Sequence, residues 1–570
     1  MHGPLPLDDN VGSDNAHERI IEAIRQHQLS IDQHRASILA LKSQYNDFAY
    51  VSRLSPDILY TIFSLAQRDN AGAILPYSFW TQITHVNRRW RDIAVNSPCL
   101  WSELHFGNIQ WLHEALKRSK DADLDISILR SSFRQQSAIK EAVKHKLRFR
   151  SLHIYDTMSA WNVFIDSCPR LESFSVETDH IGGMSSFAMN ETMNNWGPIT
   201  TTQDFLRNAQ RLRSLRLINL NIRWKSSSYF HRTLTRLTIE DLPLHSKPTV
   251  AHFVLAMKEM PELEFLHLTN AFPVADRTSF QLPDSIHFSR LRKLLIVSSV
   301  PSDLETFFKL ITFPPNAMVK VRCISINSSL SSTDISRIIS AFGTSYSLNP
   351  SEIRFQTFML IEYSNGSHLR SFQARLFTGT LLAERMDRNT FDDPDANIAF
   401  DFIWETHISC PSATSLVAGV FSRSMSLQDI RHVYLDTEDP EDQFTREMLL
   451  STFGKLPRLR YVLAGGLSGR PFIDALALGS TERISSVERA YFLKLSSVCL
   501  FDVRITSSNS APNPGVVPID VLQDCFIRYH QNYNAIPVLT FKKCHGLGRP
   551  ENAQAIEDML RYGALPNAST

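Results

Sequence analysis

The sequence predicts an α/β solenoid preceded by helical segments, and three observations carry that prediction. Near the N-terminus, a stretch without proline or glycine repeats its apolar residues every seven positions. Residues 54–101 then contain two amphipathic helical faces separated by a turn-prone segment. Beyond residue 101, a short apolar phrase often returns at intervals of 22 to 30 residues, a period typical of stacked strand–helix units. We therefore divide the chain into five segments: 1–17, 18–49, 50–104, 105–545 and 546–570.

Length and composition bound the class of protein. With 570 residues the chain exceeds one ordinary domain, and 43% hydrophobic with 21% charged residues is typical of a folded chain. The net charge of +1 argues against a polyanion-binding surface, so we expect no nucleic-acid partner. The 7 cysteines are scattered without a CxxC pair, which favours reduced thiols over a zinc site or disulfides. No apolar run approaches a membrane span, so we expect no membrane partner and a cytoplasmic or nuclear location, or both.

The N-terminal region is expected to contain one long helix. Residues 1–17 are polar, include glycine and proline, and are predicted to be disordered. Residues 18–49 carry a seven-residue apolar repeat and an adjoining seam that also holds His27 and His34, which predicts about four heptads with coiled-coil character. A dimerisation helix and an amphipathic helix laid against the next domain both remain open. The apolar residues of the two seams are Ile24, Ile31, Ile38 and Tyr45, and Ile20, Leu41 and Phe48.

The segment 50–104 is predicted to be a small helical module. Ser55 suits an N-cap, Pro56 suits the first helical position, and Asp57 suits the positive end of the helix dipole. Asn96, Ser97 and Pro98 are expected to end the second helix, because a residue before proline avoids the α region. The first helical face contains Ile58, Leu59, Ile62, Phe63, Leu65 and Ala66, and the second contains Phe79, Ile83, Val86, Trp90 and Ile93.

These residues resemble the F-box, in the F-box-like version common in fungal proteins. Three positions depart from the family pattern: Ser55 separates the leucine from the proline, Asp57 replaces a glutamate, and Asn87 replaces a cysteine. Extra residues also lie around 68–77. An ordinary three-helix bundle that binds nothing is the alternative. The matching residues are Leu54, Pro56, Asp57, Ile58, Leu59, Ile62 and Phe63, then Val86, Arg88, Arg89, Trp90 and Arg91, and then Leu100 and Trp101.

The resemblance implies a recruiting role without chemistry. F-box proteins are substrate-recruiting subunits of cullin-based ubiquitin ligases, in which the F-box packs on an adaptor of the Skp family. By this resemblance, six residues on and just before the first helix would contact the adaptor. Three further residues, Val86, Trp90 and Trp101, would hold the module together or join the contact. The predicted adaptor-binding residues are Leu54, Pro56, Ile58, Leu59, Ile62 and Phe63, with Val86, Trp90 and Trp101.

The segment 105–545 repeats one phrase, in which apolar residues stand at positions one, four and six. This phrase and its period resemble irregular leucine-rich repeats, which implies strands on a concave sheet with helices behind them. The regularity fails at 178–203, at 361–429 and at 506–517, and a short helix at 553–560 is expected to cap the end. The phrases begin at Phe149, Leu171, Leu212, Leu234, Leu263, Leu291, Val321, Phe355, Ile430, Leu459, Val498 and Ile536.

A search for catalytic motifs finds none, since GxSxG, HExxH, Walker and GxGxxG patterns are all missing from the sequence. We therefore expect a protein that is not an enzyme and that has no cofactor and no metal site. The sequence favours a substrate-recruiting ligase subunit that joins a Skp-family adaptor, and through it a cullin, to an unknown target protein. A leucine-rich-repeat scaffold outside any ligase, dimerising through its N-terminal helix, is the alternative.

Overall fold

The structure of the protein is a computed structural model that divides into two compact units, unit 1 (residues 1–152) and unit 2 (residues 153–570). The residues that it describes are 11–69, 79–129, 135–155, 168–178, 206, 208–222, 224, 230–274, 285–325, 330–346, 354–364, 369–379, 396–405, 427–438, 444–481, 491–507, 513 and 515–548.

Unit 1 opens with a long helix and continues into a small helical module. The first helix begins at Val11, so residues 11–17, predicted to be disordered, instead form its first turns. The elements of unit 1 are α1 (Val11–Asp47), α2 (Pro56–Asp69), α3 (Arg88–Val95), β1 (Glu103–Leu104), α4 (Ile109–Ser119), β2 (Leu124–Leu129) and α5 (Gln136–Val143), with short 3-10 turns at Tyr50–Arg53, Phe79–His85 and Pro98–Trp101.

Unit 1 extends beyond the predicted module boundary at residue 104. The ring of Trp101 packs against the ring of Trp111 on α4, with centroids 5.4 Å apart, and β1 pairs with β2 in parallel. Both contacts continue unit 1 beyond residue 104. Strand β3 (Phe149–Tyr155) follows and contains the point at which the two units divide.

Unit 2 is a large, mostly parallel sheet with helices, in agreement with the predicted α/β solenoid class. Leu215, Leu237, Leu266 and Leu294 stand opposite one another on successive strands, and all are buried. Equal register keeps the same face of every strand in the core. The main strands are β4 (Ser173–Glu177), β5 (Ser214–Ile218), β6 (Arg236–Glu240), β7 (Phe265–Thr269), β9 (Lys293–Ser298), β11 (Met318–Ser325), β12 (Thr357–Ser364), β13 (Leu369–Phe377), β14 (Ile398–Glu405), β15 (His432–Thr437), β16 (Tyr461–Gly466), β17 (Ser497–Phe501) and β20 (Val538–Lys542); β8 (Ile286–His287) pairs with β10 (Ile311–Thr312), and β18 (Arg504–Thr506) with β19 (Val516–Pro518).

Aromatic side chains join the helices to the leucine face of this sheet. The ring of Phe342 meets the ring of Phe400 edge-on, with centroids 5.0 Å apart, and Phe307 lies 5.7 Å from Phe272. All four rings are buried, so this layer is the core of unit 2. The helices of unit 2 are α6 (Val250–Lys258), α7 (Pro301–Leu310), α8 (Ser332–Tyr346), α9 (Arg446–Leu449), α10 (Gly469–Thr481) and α11 (Ile519–Tyr533).

A recurring pair of hydrogen bonds sets the register between neighbouring strands. The carbonyl of Glu172 accepts from the amides of Arg213 (2.8 Å) and Ser214 (3.0 Å). The carbonyl of Arg213 then accepts from the amides of Thr235 and Arg236, both at 2.9 Å. The same pattern explains why one apolar phrase returns along the sequence. It recurs at the carbonyls of Thr235, Glu264, Gln356, Arg431 and Arg460.

A left-handed residue often follows directly on a strand. Such positions favour glycine, asparagine and aspartate, because other side chains crowd their own backbone there. The asparagine after the strand that the sequence shows at Asn219 and Asn270 marks this turn, and Asp241 and Asp502 fill the same place. The residues with positive φ at strand ends are Asn219, Asp241, Asn270, Asp502 and Lys543.

Strand order departs from a simple solenoid in the middle of unit 2. The order β11-β14-β13-β12-β15 places β12 away from β11, and β13 runs antiparallel to both of its neighbours. The long interval at 361–429 therefore contains a reversal of the chain. Apolar residues alternate along the sequence at 372–376 and at 398–402 within that interval, which predicts two strands, and β13 and β14 confirm them.

Two of the predicted phrases are out of register with the observed strands. Beside β9, Val319 and Val321 stand opposite Leu294 and Ile296, whereas Ile324 of the predicted phrase lies on the other face. The core residues of β17 are likewise Val498 and Leu500 and not Phe501. A shift of one residue moves a strand side chain to the opposite face, and both strands carry apolar residues on each face. The predicted loop at 178–203 beyond its first residue, parts of 361–429 and of 506–517, and the predicted helix at 553–560 lie outside the described residues.

Candidate functional site

Helix α2 is the centre of the candidate site in unit 1. The hydroxyl of Ser55 accepts from the amide of Ile58 at 3.4 Å, so Ser55 caps the helix as its sequence position indicates. One side of α2 is buried, with Leu59 0% and Phe63 1% exposed. The other side presents three apolar residues one helical turn apart, and we call them the α2 face: Ile58 (49% exposed), Ile62 (42%) and Leu65 (53%).

Helix α3 packs against the buried side of α2. The ring of Phe63 packs on the ring of Trp90, with centroids 5.1 Å apart. The side chain of Asn87 accepts from the amide of Trp90 at 2.8 Å and caps α3. The guanidinium of Arg89 donates to the backbone carbonyls of Ser52 and Leu54, which ties the segment before α2 to α3. These contacts fix the orientation of the α2 face.

Trp101 closes the module from the C-terminal side. Its ring is 2% exposed, and its indole N–H donates to the carbonyl of Ala94 at 2.9 Å. The guanidinium carbon of Arg118 lies 4.2 Å from the ring centroid, within range of a cation–π contact. Trp101 therefore joins the end of α3 to α4.

The nine predicted contact residues fall into three groups. Leu59, Phe63 and Trp101 are buried, so these three support the module from inside, whereas Leu54 and Trp90 are half-buried. Pro56, Ile58, Ile62 and Val86 are exposed and available to a partner. Leu65 was missing from the predicted contacts, although its spacing of three from Ile62 and seven from Ile58 places it on the same side of the helix. Asn87, noted in the sequence only as a departure, is the cap of α3.

A cleft of about 370 Å³ opens beside the start of α2. Its walls include Ser43 and Asn46 from α1, Pro56 from α2, and Arg88 and Asp92 from α3. The cleft shows that the C-terminal end of α1 lies against the module.

Burial shifts the pKa of two residues near Trp101. It raises the pKa of Glu103, with Asp125 adding to the rise and a hydrogen bond from Gln67 opposing it. It lowers the pKa of His105 to about 4, so this imidazole is neutral at physiological pH. Both effects follow from desolvation and need no ligand.

Unit 2 offers a second surface, on the side of the sheet opposite the leucine face. On β4, β5, β6, β7 and β9 its side chains are half-exposed or exposed, and some of them form pairs between strands. The guanidinium of Arg216 lies 3.6 Å from the carboxylate of Glu240, and the imidazole of His267 lies 3.7 Å from the same carboxylate. The ammonium of Lys293 lies 5.8 Å from the ring centroid of Phe265. We call these five residues and their neighbours on β4–β9 the open face.

Across β14, β13, β12, β15, β16 and β17 the same side of the sheet is largely buried. Asp401, 1% exposed, accepts from Arg322 at 2.9 Å and from Ser371 at 2.6 Å. A buried carboxylate with two donors is an ordinary structural arrangement. An apolar cluster lies on neighbouring strands and includes Met359, Ile361, Tyr434, Leu463 and Cys499.

Among the described residues, no three His, Cys, Asp or Glu side chains lie close enough together to hold a metal ion. No helix in that part of the chain is long and apolar enough to cross a membrane. No protein-family model and no curated protein matches this chain. The α2 face and the open face are therefore the candidate sites on physical grounds alone.

Proposed function

We propose that this protein recruits a target protein to a cullin-based ubiquitin ligase. The α2 face would bind a Skp-family adaptor, and the open face of unit 2 would bind the target. No bond is made or broken by the protein itself. It raises the effective concentration of target lysines near the charged conjugating enzyme, as any tether does.

The α2 face is the observation that supports the proposed binding of a Skp-family adaptor. Three apolar side chains at helical spacing point to solvent from a helix whose other side is anchored by Phe63 and Trp90. An amphipathic helix with a fixed apolar side fits a hydrophobic groove of a partner. The resemblance of residues 54–101 to the F-box supports a Skp-family adaptor as that partner.

The proposed binding of a target protein is supported by the composition of the open face. Its exposed and half-exposed side chains include both charges and an aromatic ring, as at Arg216, Glu240 and Phe265. Burial raises the pKa of Glu240 against the opposing effect of Arg216. Charged groups held on a rigid sheet suit a specific protein partner, because complementary charge selects among partners.

Co-purification of the full chain with a Skp-family adaptor tests the proposal. We expect a one-to-one complex for the natural sequence and at least a hundredfold weaker binding for Ile58→Asp with Ile62→Asp, since each buried carboxylate lacks a partner in an apolar groove. Leu255→Asp on α6 is the matched control, because Leu255 is also an exposed apolar helix residue (64%). Failure of the natural sequence to bind, or an equal loss in the control, contradicts the proposal.

The second candidate function is a leucine-rich-repeat scaffold outside any ligase. The unpartnered helix α1 favours a protein-interaction role of this kind, because such a helix exposes apolar residues along its length. The adaptor experiment separates the two functions. A scaffold keeps its own partners in variants of the α2 face and shows no adaptor binding.

A further inference from the structure

Helix α1 is exposed along most of its length. Every described side chain from His17 to Lys42 is exposed, and only Ser43 and Asn46 near its end are half-buried against the module. The helix has 37 residues, which corresponds to about 55 Å. Unit 1 therefore covers only the C-terminal end of this helix.

Some of the exposed apolar residues lie along one side of the helix, and others lie on its remaining sides. Ile24, Ile31 and Ile38 recur every seven residues, and they are 59%, 46% and 52% exposed. We call the stripe formed by these residues and their neighbours on the same side the α1 seam. Ion pairs between Glu22 and Arg25 and between Asp32 and Arg35 involve residues outside the repeated apolar positions. The complete seam is Ile20, Ile24, His27, Ile31, His34, Ile38, Leu41 and Tyr45.

An exposed apolar stripe of this length is expected to pack against another apolar surface. From Ile20 to Tyr45 the seam runs for about 38 Å, and with a width of about 10 Å it offers roughly 400 Å² per helix. Continuous apolar patches of several hundred Å² on soluble proteins usually mark an interaction site. Two seams together would bury roughly 800 Å², which suits a weak and concentration-dependent association.

We propose that the α1 seam pairs with the α1 seam of a second copy of this chain. A seven-residue apolar repeat is complemented by a helix with the same repeat over the same length, and a second copy supplies both. The apolar positions then cover one another, and the ion pairs at the outer positions stay in water. This pairing goes beyond the proposed function, since either a monomer or a dimer can bind an adaptor.

His27 and His34 are the weak positions of the seam. They occupy core positions of the heptad, where polar side chains specify register at a cost in stability. They limit the strength of the pair, so His27→Leu with His34→Leu should tighten it at least tenfold.

Sedimentation of the full chain between about 1 and 100 μM tests the pairing. We expect the natural sequence to pass from monomer to dimer over this range. Ile24→Lys with Ile38→Lys should remain monomeric throughout, because like charges would face each other across the seam. Leu29→Lys with Leu39→Lys is the matched control, since these leucines are equally exposed (58% and 57%) but lie outside the seam. The control should dimerise like the natural sequence.

Three outcomes overturn the proposal. They are a natural sequence that stays monomeric at every concentration, a seam variant that still dimerises, and a control that loses the dimer as well. Circular dichroism establishes that each variant keeps its helix, which is expected because lysine is a good helix former. The histidine variant provides an independent measurement, since a gain in affinity is not produced by misfolding.

Discussion

Two tryptophans of unit 1 lie in different surroundings, although the sequence pattern gives both an apolar role. Trp101 donates its indole N–H to the carbonyl of Ala94, whereas among the described residues the buried indole nitrogen of Trp90 has no hydrogen-bond partner. A buried donor without an acceptor costs stability, and a satisfied one contributes to it. Residue type alone does not distinguish these cases.

This difference in hydrogen bonding predicts that a phenylalanine substitution destabilises the protein more at Trp101 than at Trp90. Trp101→Phe removes a satisfied hydrogen bond and should lower the free energy of unfolding by about 1 to 3 kcal/mol. Trp90→Phe removes the unsatisfied N–H, which offsets the lost volume, so its effect should stay within about 1 kcal/mol. Urea unfolding followed by far-UV circular dichroism measures both values. A larger loss for Trp90→Phe than for Trp101→Phe would contradict the assignment.

His105 makes the folding stability of unit 1 depend on pH. Burial lowers its pKa in the folded protein to about 4, below its ordinary value of 6.5. Between these values the unfolded chain binds more protons, so stability is complete above about pH 6.5 and falls by roughly 2 to 3 kcal/mol toward pH 4. The raised pKa of Glu103 acts in the opposite sense over its own range.

We therefore expect His105→Gln to flatten the decline in stability between about pH 6.5 and pH 4, because glutamine does not titrate. Unfolding midpoints measured at several pH values within this window compare the variant with the natural sequence. Parallel profiles for the two proteins would exclude His105 as the cause.

At the scale of elements, the turn after each strand decides how neighbouring strands meet. Asn270 has φ of 49° and links three strand ends, since its side chain donates to Asp241 at 2.9 Å and accepts from the amide of Ser299 at 3.0 Å. Its own amide donates to the carbonyl of Val297 at 2.9 Å. The turn therefore combines backbone shape with a side-chain link.

Substitutions at Asn270 separate these two contributions. Asn270→Gly keeps the left-handed backbone and loses the side-chain bonds, so it should cost about 1 kcal/mol. Asn270→Val loses the same bonds and adds about 1 to 2 kcal/mol of backbone strain. Chemical denaturation of both variants measures the difference. Equal losses would show that the left-handed conformation contributes nothing at this position.

At the scale of the whole molecule, the candidate surfaces belong to different elements. The α2 face contains Ile58, Ile62 and Leu65, the α1 seam lies on the preceding helix, and the open face lies on the sheet of unit 2. The seam variant Ile24→Lys with Ile38→Lys should therefore keep its adaptor binding. The two proposals can fail separately, which makes each experiment informative about its own surface.

The sequence by itself determined the long helix, the first helix of the module and most strands of unit 2. These features depend on periods of 3.6, 3.5 and 2 residues, and such periods are local properties of the chain. The cap at Ser55 and the end of α3 before Pro98 were predictable for the same reason. The sequence also placed Ile58 and Ile62 among the candidate contacts. The second helical face predicted from Phe79 to Ile93 is instead a 3-10 turn at Phe79–His85 followed by α3 from Arg88.

Only the tertiary structure decided which apolar residues are covered. Leu59 and Phe63 are buried because α3 packs against that side of α2. The opposite side, with Ile58, Ile62 and Leu65, is left exposed. The tertiary structure also decided the reversal at β13 and the register of β11 and β17, since strands with apolar residues on both faces fit either way locally. Burial and strand order depend on contacts between distant residues, and a local period carries no information about those contacts.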